Sequence, residues 1–160
     1  MPLLMKLPGI RGESKVANHD GWMPLLGFSW GGARVPRAMQ AGSHQTATRV
    51  WAPQLRHATV RRTLDAQSAQ IWNAMVQSLD LPEVKCEWLR TGGDDPICYF
   101  AVTLRGVRVL RISEESQGEH PVEMIDFAYR EIELGVRDVG NTLSGAQDIV
   151  AYKVPTHAGG

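Results

Sequence analysis

Apolar and polar residues alternate with a period of two along most of this chain, the signature of strands buried on one face. Leu3 to Leu7 is a short first run, ended by Pro8-Gly9 and followed by the polar turn Gly12-Glu13-Ser14-Lys15. Met23 to Trp30 reads as a second strand, with Leu26, Phe28 and Trp30 on one face and Ser29 on the other; Pro24 puts its start at a sheet edge. In Gln54 to Arg62, Leu55, His57, Thr59 and Arg61 oppose Arg56, Ala58, Val60 and Arg62. Val84, Cys86 and Trp88 face away from Lys85 and Glu87. Ile97–Leu104 and Val107–Ile112 are predicted as strands broken at Gly106, before a polar, acidic loop from Ser113 to Pro121. From Glu123 to Val136 the apolar parity changes midway, which predicts a bulge or a bend of the kind found where barrels close. Asp148 to Val154 is a last strand, and 156–160 is a tail.

One segment changes period. Ala69, Ile71, Trp72, Met75, Val76 and Leu79 recur at helical spacing, with Thr63 or Asp65 available as cap and Pro82 as stop. A single helix over about 65–80 is predicted, plugging or flanking a barrel. Residues 31–53 hold no period and form a connection far longer than the usual two to six residues. Arg34, Val35, Arg37, Met39, Val50 and Trp51 make that connection stickier than a solvated linker needs, which suits a partner surface.

Composition narrows the functional classes. The 160 residues suffice for one domain with a real core, and 43% hydrophobic against 21% charged residues is an ordinary globular balance. Lys plus Arg equals Asp plus Glu at 17 each, which argues against a nucleic-acid or polybasic membrane binder and leaves little general repulsion against self-association. The N-terminal apolar run is interrupted by Lys6 and does not read as a signal peptide, and no stretch is long and apolar enough for a membrane span. Synthesis in the cytoplasm, with any export by a route that ignores N-terminal signals, is the expectation.

Candidate chemistry is sparse. The five histidines are scattered, Cys86 and Cys98 lack metal spacing, and no nucleophile elbow or phosphate loop is present, so no catalytic residue, metal or cofactor is assigned. Two reduced thiols are expected, with a disulfide open if their strands pair. Asp94-Asp95 and Glu114-Glu115 read as solvated loop charge rather than an acid–base pair. The tryptophans sit at core-like positions of strands and the helix.

The order of these elements resembles the Hcp family, the tube protein of bacterial type VI secretion systems. The resemblance lies in Gly12-Glu13-Ser14-Lys15, His19, Phe28-Ser29-Trp30-Gly31, the helix Leu64–Leu79, the strands around Val102–Val107 and Val122–Phe127, and the final Ile149–Tyr152. It covers almost the whole chain. It implies a mainly β fold over residues 1–155: a compact antiparallel β-barrel of two packed sheets, one flanking helix and an extended loop at 32–53. It further implies a homohexameric ring that stacks into a tube, carries effector proteins in its lumen, meets spike, sheath and baseplate proteins, and is secreted without a signal peptide. Three departures mark a divergent member. The 32–53 loop lacks a long glycine-rich run, strand 54–62 matches poorly in residue type, and the end lacks a Gly-Trp pair.

A cyclic ring needs two different, mutually fitting patches. Arg56, Arg61 and Arg62 against Glu114 and Glu115, with further acid at 131–133, supply opposite charges for such a contact. The resemblance further implies that the 32–53 loop takes part in ring stacking, with Arg34, Arg37 and Trp51 as candidates, and that Ser29, facing away from the core, lines the lumen; an ordinary sheet surface is the alternative for Ser29. A phage tail-tube protein and a small barrel enzyme or ligand carrier are the alternative readings.

Overall fold

The computed structural model describes residues 1–34, 53–92, 95–137 and 148–153. The strands are β1 (Leu3–Lys6), β2 (Met23–Leu25), β3 (Gly27–Ser29), β4 (Gly32–Ala33), β5 (Gln54–Leu55), β6 (Ala58–Thr63), β7 (Leu81–Arg90), β8 (Ile97–Glu115), β9 (Val122–Ala128), β10 (Glu131–Val136) and β11 (Asp148–Lys153), with one helix, α1 (Ser68–Val76), between β6 and β7. The chain is mainly β with antiparallel pairing, as the alternation requires.

Two sheets share β8. Its first half pairs β7 and β10, and β7 leads on to β1 and β2, while β10 leads to β11. Its second half pairs β9, which leads through β6 to β3. The expected break at Gly106 is therefore a bend within one 19-residue strand. Gly106 adopts φ +62°, which a side chain resists, and lies against the side chain of Arg130. A second irregularity between Val109 and Arg111 lets the buried face pass from Val109 to Ile112. The parity change after Glu123 has the matching cause: β9 and β10 run in sequence along β8, turning at Tyr129-Arg130, where the Arg130 amide donates to the Arg105 carbonyl at 2.9 Å.

The hydrogen-bonded ladder begins at β2 and ends at β3, so the sheets do not close into the true barrel that was expected. The two ends are nevertheless adjacent in the chain. Only Leu26 separates β2 from β3, and its amide donates to the Arg61 carbonyl at 2.7 Å.

Between the sheets lies one core, built from Met5, Met23, Val60, Val84, Leu104, Ile125 and Phe127 among others, with Ile71 and Ala74 of α1 sealing it. The helix is shorter than its apolar spacing predicts. Asp65 Oδ1 accepts the Gln67 amide at 2.9 Å while the Asp65 amide donates to Ser68 Oγ at 3.1 Å, so the residues before Ser68 form a reciprocal turn rather than helix. Ser78 at φ +52° ends it, before Pro82 is reached, and the Leu79 amide returns to the Ala74 carbonyl at 3.0 Å. Among the described residues no helix is long and apolar enough to cross a membrane.

On the outside of the β7 sheet, residues 11–22 fold back as a covering loop. Leu4, Trp22 and Leu89 form a second small core beneath it, and His19 stacks edge-on against Trp22. His19 Nε2 lies 2.6 Å from Glu87 Oε2 and Nδ1 lies 3.1 Å from the Ala17 carbonyl, which ties the loop to β7.

Candidate functional site

The long connection after β3 is pinched at its base. β4 pairs β5, with Gly32 opposite Leu55, so close that a Cβ there would reach 2.5 Å from Leu55 Cδ2. Arg34 is exposed just beyond this ribbon. Arg37 and Trp51, the other two stacking candidates, lie outside the described residues.

The alternation of β6 sorts the arginines. Ala58, Val60 and Arg62 share the face that meets the core, and Arg62 is only 1% exposed. Its guanidinium pairs with Glu123 and with Asp65, and Ser68 Oγ donates to Glu123 Oε1 at 3.1 Å. Arg62 is thus an internal bolt joining β6, β9 and the start of α1. Its placement at a ring interface is corrected, because a guanidinium buried on two carboxylates of its own chain is not surface. Glu123 is fully buried, and desolvation outweighs Arg62 and holds its carboxyl above the usual range. Arg62 Nε and Glu123 Oε2 have no hydrogen-bond partner among the described residues. The parity that puts Arg62 with Ala58 and Val60 was the available signal for this cluster.

Arg61 and Ser29 share the opposite face. Ser29 pairs Thr59 and Gly27 pairs Arg61 across β3 and β6, and Thr59 and Arg61 pair Asp126 and Met124 of β9. Asp126 in turn pairs Arg111 of β8, and Met124 pairs Ser113. Asp126 is nearly buried, accepting from Thr59 Oγ1 at 2.6 Å and Arg111 Nε at 2.9 Å, with His57 Nε2 at 3.5 Å. Ser29, Arg61 and Arg111 are exposed.

Arg56 is exposed in the two-residue connection between β5 and β6, and Glu115 is exposed at the far end of β8. Glu114 accepts the indole N–H of Trp72 at 2.7 Å. The acid at 131–133 is engaged within the chain: Arg105 reaches Glu131 at 3.2 Å, Glu133 at 3.0 Å and Glu83 at 3.4 Å.

Phe28, Trp30, Trp88 and Phe100 form a packed aromatic group, with ring centroids 4.7 Å apart for Trp88 and Phe100 and 5.7 Å for Trp30 and Phe100. Phe28 packs on the core, but Trp30 is 37% exposed at its rim rather than inside it.

Both cysteines are free. Burial drives the Cys86 thiol far above its usual range and pushes Cys98 up to about 11. Iodoacetamide near neutral pH is expected to label neither thiol at the rate of a free cysteine until denaturant is added. Rapid labelling of native Cys98, read by mass spectrometry, contradicts this. Among the described residues no group of three or more His, Cys, Asp or Glu is disposed to hold a metal ion.

Comparison with known proteins separates the readings left open by the sequence. A family model described as "Type VI secretion system effector, Hcp" matches residues 4–135. The chain belongs to the Hcp family. Solved structures share the fold of this Hcp chain at low identity. A type VI secretion system effector from Yersinia pestis superposes with a TM-score of 0.74 at 18% identity, covering 95% of this chain and 99% of that one. A structure described as a type six secretion system protein reaches 0.80 at 24%, covering 96% and 95%. Hcp1 from Salmonella typhimurium reaches 0.73 at 15%, covering 95% and 93%. No curated protein matches the Hcp chain significantly. Family membership makes this a type VI secretion Hcp protein, a member of a secreted, structural family.

Proposed function

We propose that this Hcp protein is a subunit of the inner tube of a type VI secretion system. Six copies close into a ring, rings stack, and the tube carries effector proteins in its lumen as it leaves the cytoplasm without a signal peptide. Spike, sheath and baseplate proteins are its other partners, and the role is structural rather than enzymatic.

The observation that carries this reading is the separation of unengaged charge on a family member with no net charge. Arg56 stands at one end of the β6–β9–β8 sheet and Glu115 at the other, both exposed. A head-to-tail ring contact uses two such different patches, one from each neighbour. Arg56 with Glu115, supported by Glu114, is the proposed protomer contact. Arg34, Arg37 and Trp51 remain the proposed stacking residues. Arg61, a ring-interface candidate on its charge, shares the face of Ser29 and in this reading is assigned to the lumen with it instead.

Electron microscopy of the purified full chain tests the reading. Six-fold rings with a central hole are expected, and Arg56→Glu is expected to shift the population towards free protomers on a sizing column. Protomers alone across a range of salt concentrations overturn it.

A further inference from the structure

We propose that the exposed face of β3, β6, β9 and β8 docks protein segments that are acidic and also carry aliphatic side chains. The proposal deepens the tube reading and rests on it in one respect: the face carrying Ser29 is taken as the side that meets cargo.

Cross-strand register defines the surface. One row is Ser29, Thr59, Asp126 and Arg111; the next is Gly27, Arg61, Met124 and Ser113. The carboxylate in the first row is spent. Asp126 is 5% exposed and engaged by Thr59, Arg111 and His57; Arg111, 73% exposed, holds it through Nε and one terminal nitrogen and turns the remaining edge of its guanidinium to solvent. In the second row Arg61 is exposed with no carboxylate of the described residues at ion-pair distance, and Met124 beside it is 39% exposed. The remaining acid on this face, Glu115, stands at the level of Thr63, four residues or ~13 Å along the strand from Thr59.

Directly opposed side chains in an antiparallel sheet are neighbours and diagonal ones remain within reach of long side chains. Met124 therefore lies between two guanidinium groups, Arg61 opposite and Arg111 on the diagonal. Guanidinium groups take carboxylates in a two-point grip, and a thioether adapts to varied aliphatic partners. The near end of the face is complementary to an acidic segment with aliphatic side chains and repels a basic one. Repetition of this end around a ring would focus the positive field within the hole.

Fluorescence anisotropy with the purified full chain provides the test. The probe is a fluorescein-labelled peptide of alternating glutamate and leucine, with a lysine–leucine peptide as the opposite-charge control. The acidic peptide is expected to bind, more weakly as salt rises, and the basic one is not. Arg61→Glu is expected to weaken binding about tenfold and Arg111→Gln by several fold, because each removes a directed charge from the contact. Lys15→Glu, on the covering loop, should leave it unchanged. Equal binding of both peptides, or wild-type affinity in Arg61→Glu and Arg111→Gln, overturns the proposal. Light scattering on the same samples separates the two claims. Rings that ignore the acidic peptide remove the docking surface and leave the tube reading standing. Protomers that bind it but form no rings do the reverse.

Discussion

Arg62→Ala is expected to lower the stability of the folded chain by about 3–5 kcal/mol, the usual cost of removing one partner from a buried ion pair. Among the described residues Arg62 is the single cation paired with Asp65 and the fully buried Glu123, so its loss strands a buried carboxylate without its ion-pair partner. The pH dependence follows from the direction of the Glu123 shift. Its carboxyl already holds its proton above the ordinary 4.5. The folded state thus binds that proton more tightly than the unfolded chain, and this contribution is full below the ordinary value and is lost as pH rises through the raised one. Without Arg62 the raised value climbs further, so the variant should lose most at neutral pH and recover part of the loss in mild acid. Urea unfolding followed by tryptophan fluorescence at both pH values reads this directly. Replacing Arg62 and Glu123 together by leucine should cost less than Arg62→Ala alone, since the fully buried carboxylate goes with its cation and only Asp65, 16% exposed, is left without its partner. A single-variant loss below about 0.5 kcal/mol, the scale of ordinary surface changes, would show that the bolt carries no weight.

Gly12→Val should be the next most damaging change, at about 3 kcal/mol, the upper range for forcing atoms into filled space. The Gly12 amide donates to the Gly21 carbonyl at 2.7 Å, and Ser14 and Trp22 are linked at 2.9 Å, so the two arms of the covering loop are in backbone contact. A Cβ at Gly12 would stand 2.6 Å from Met23 Cγ and 2.7 Å from the Trp22 carbonyl carbon, with the carbonyl oxygen nearer still. Backbone cannot yield as a side-chain tip does. The loop must lift, exposing Leu4 and Leu89 and parting His19 from Glu87. A fall in Tm of about 10 °C is expected for a domain of this size. Gly31→Ala is the control, because nothing lies within 4 Å of a Cβ there. Equal melting of the two variants would remove the steric explanation.

Period-two alternation located the strands because one face of each sheet meets the core and the other meets solvent. It failed where a strand changes sheet. Gly106 and Leu110 each shift the buried set by one residue, so one bent strand read as two. It also ended β8 too early: Ser113 to Glu115 are polar, yet their backbone pairs with β9 to the last residue. The helix was overdrawn because Leu79 keeps helical spacing although the chain has already turned left-handed at Ser78. Ser29 was legible as exposed from parity alone. The charge of Arg62 points to the surface, whereas its parity with Ala58 and Val60 puts it on the buried face of β6. Its partner Glu123, far along the chain, is brought opposite only by the β6–β9 register.

The two sheets are stitched together on both flanks, at Leu26 on one side and at the Gly106–Arg130 corner on the other. A sandwich joined along one flank can open like a book, with the joined flank as its spine. This one is clasped along the fore-edge as well, so pulling on either sheet loads backbone on both sides of the core. Splaying the halves apart then requires peeling a strand from its neighbour, and pushing force along the molecule meets a frame instead of a hinge.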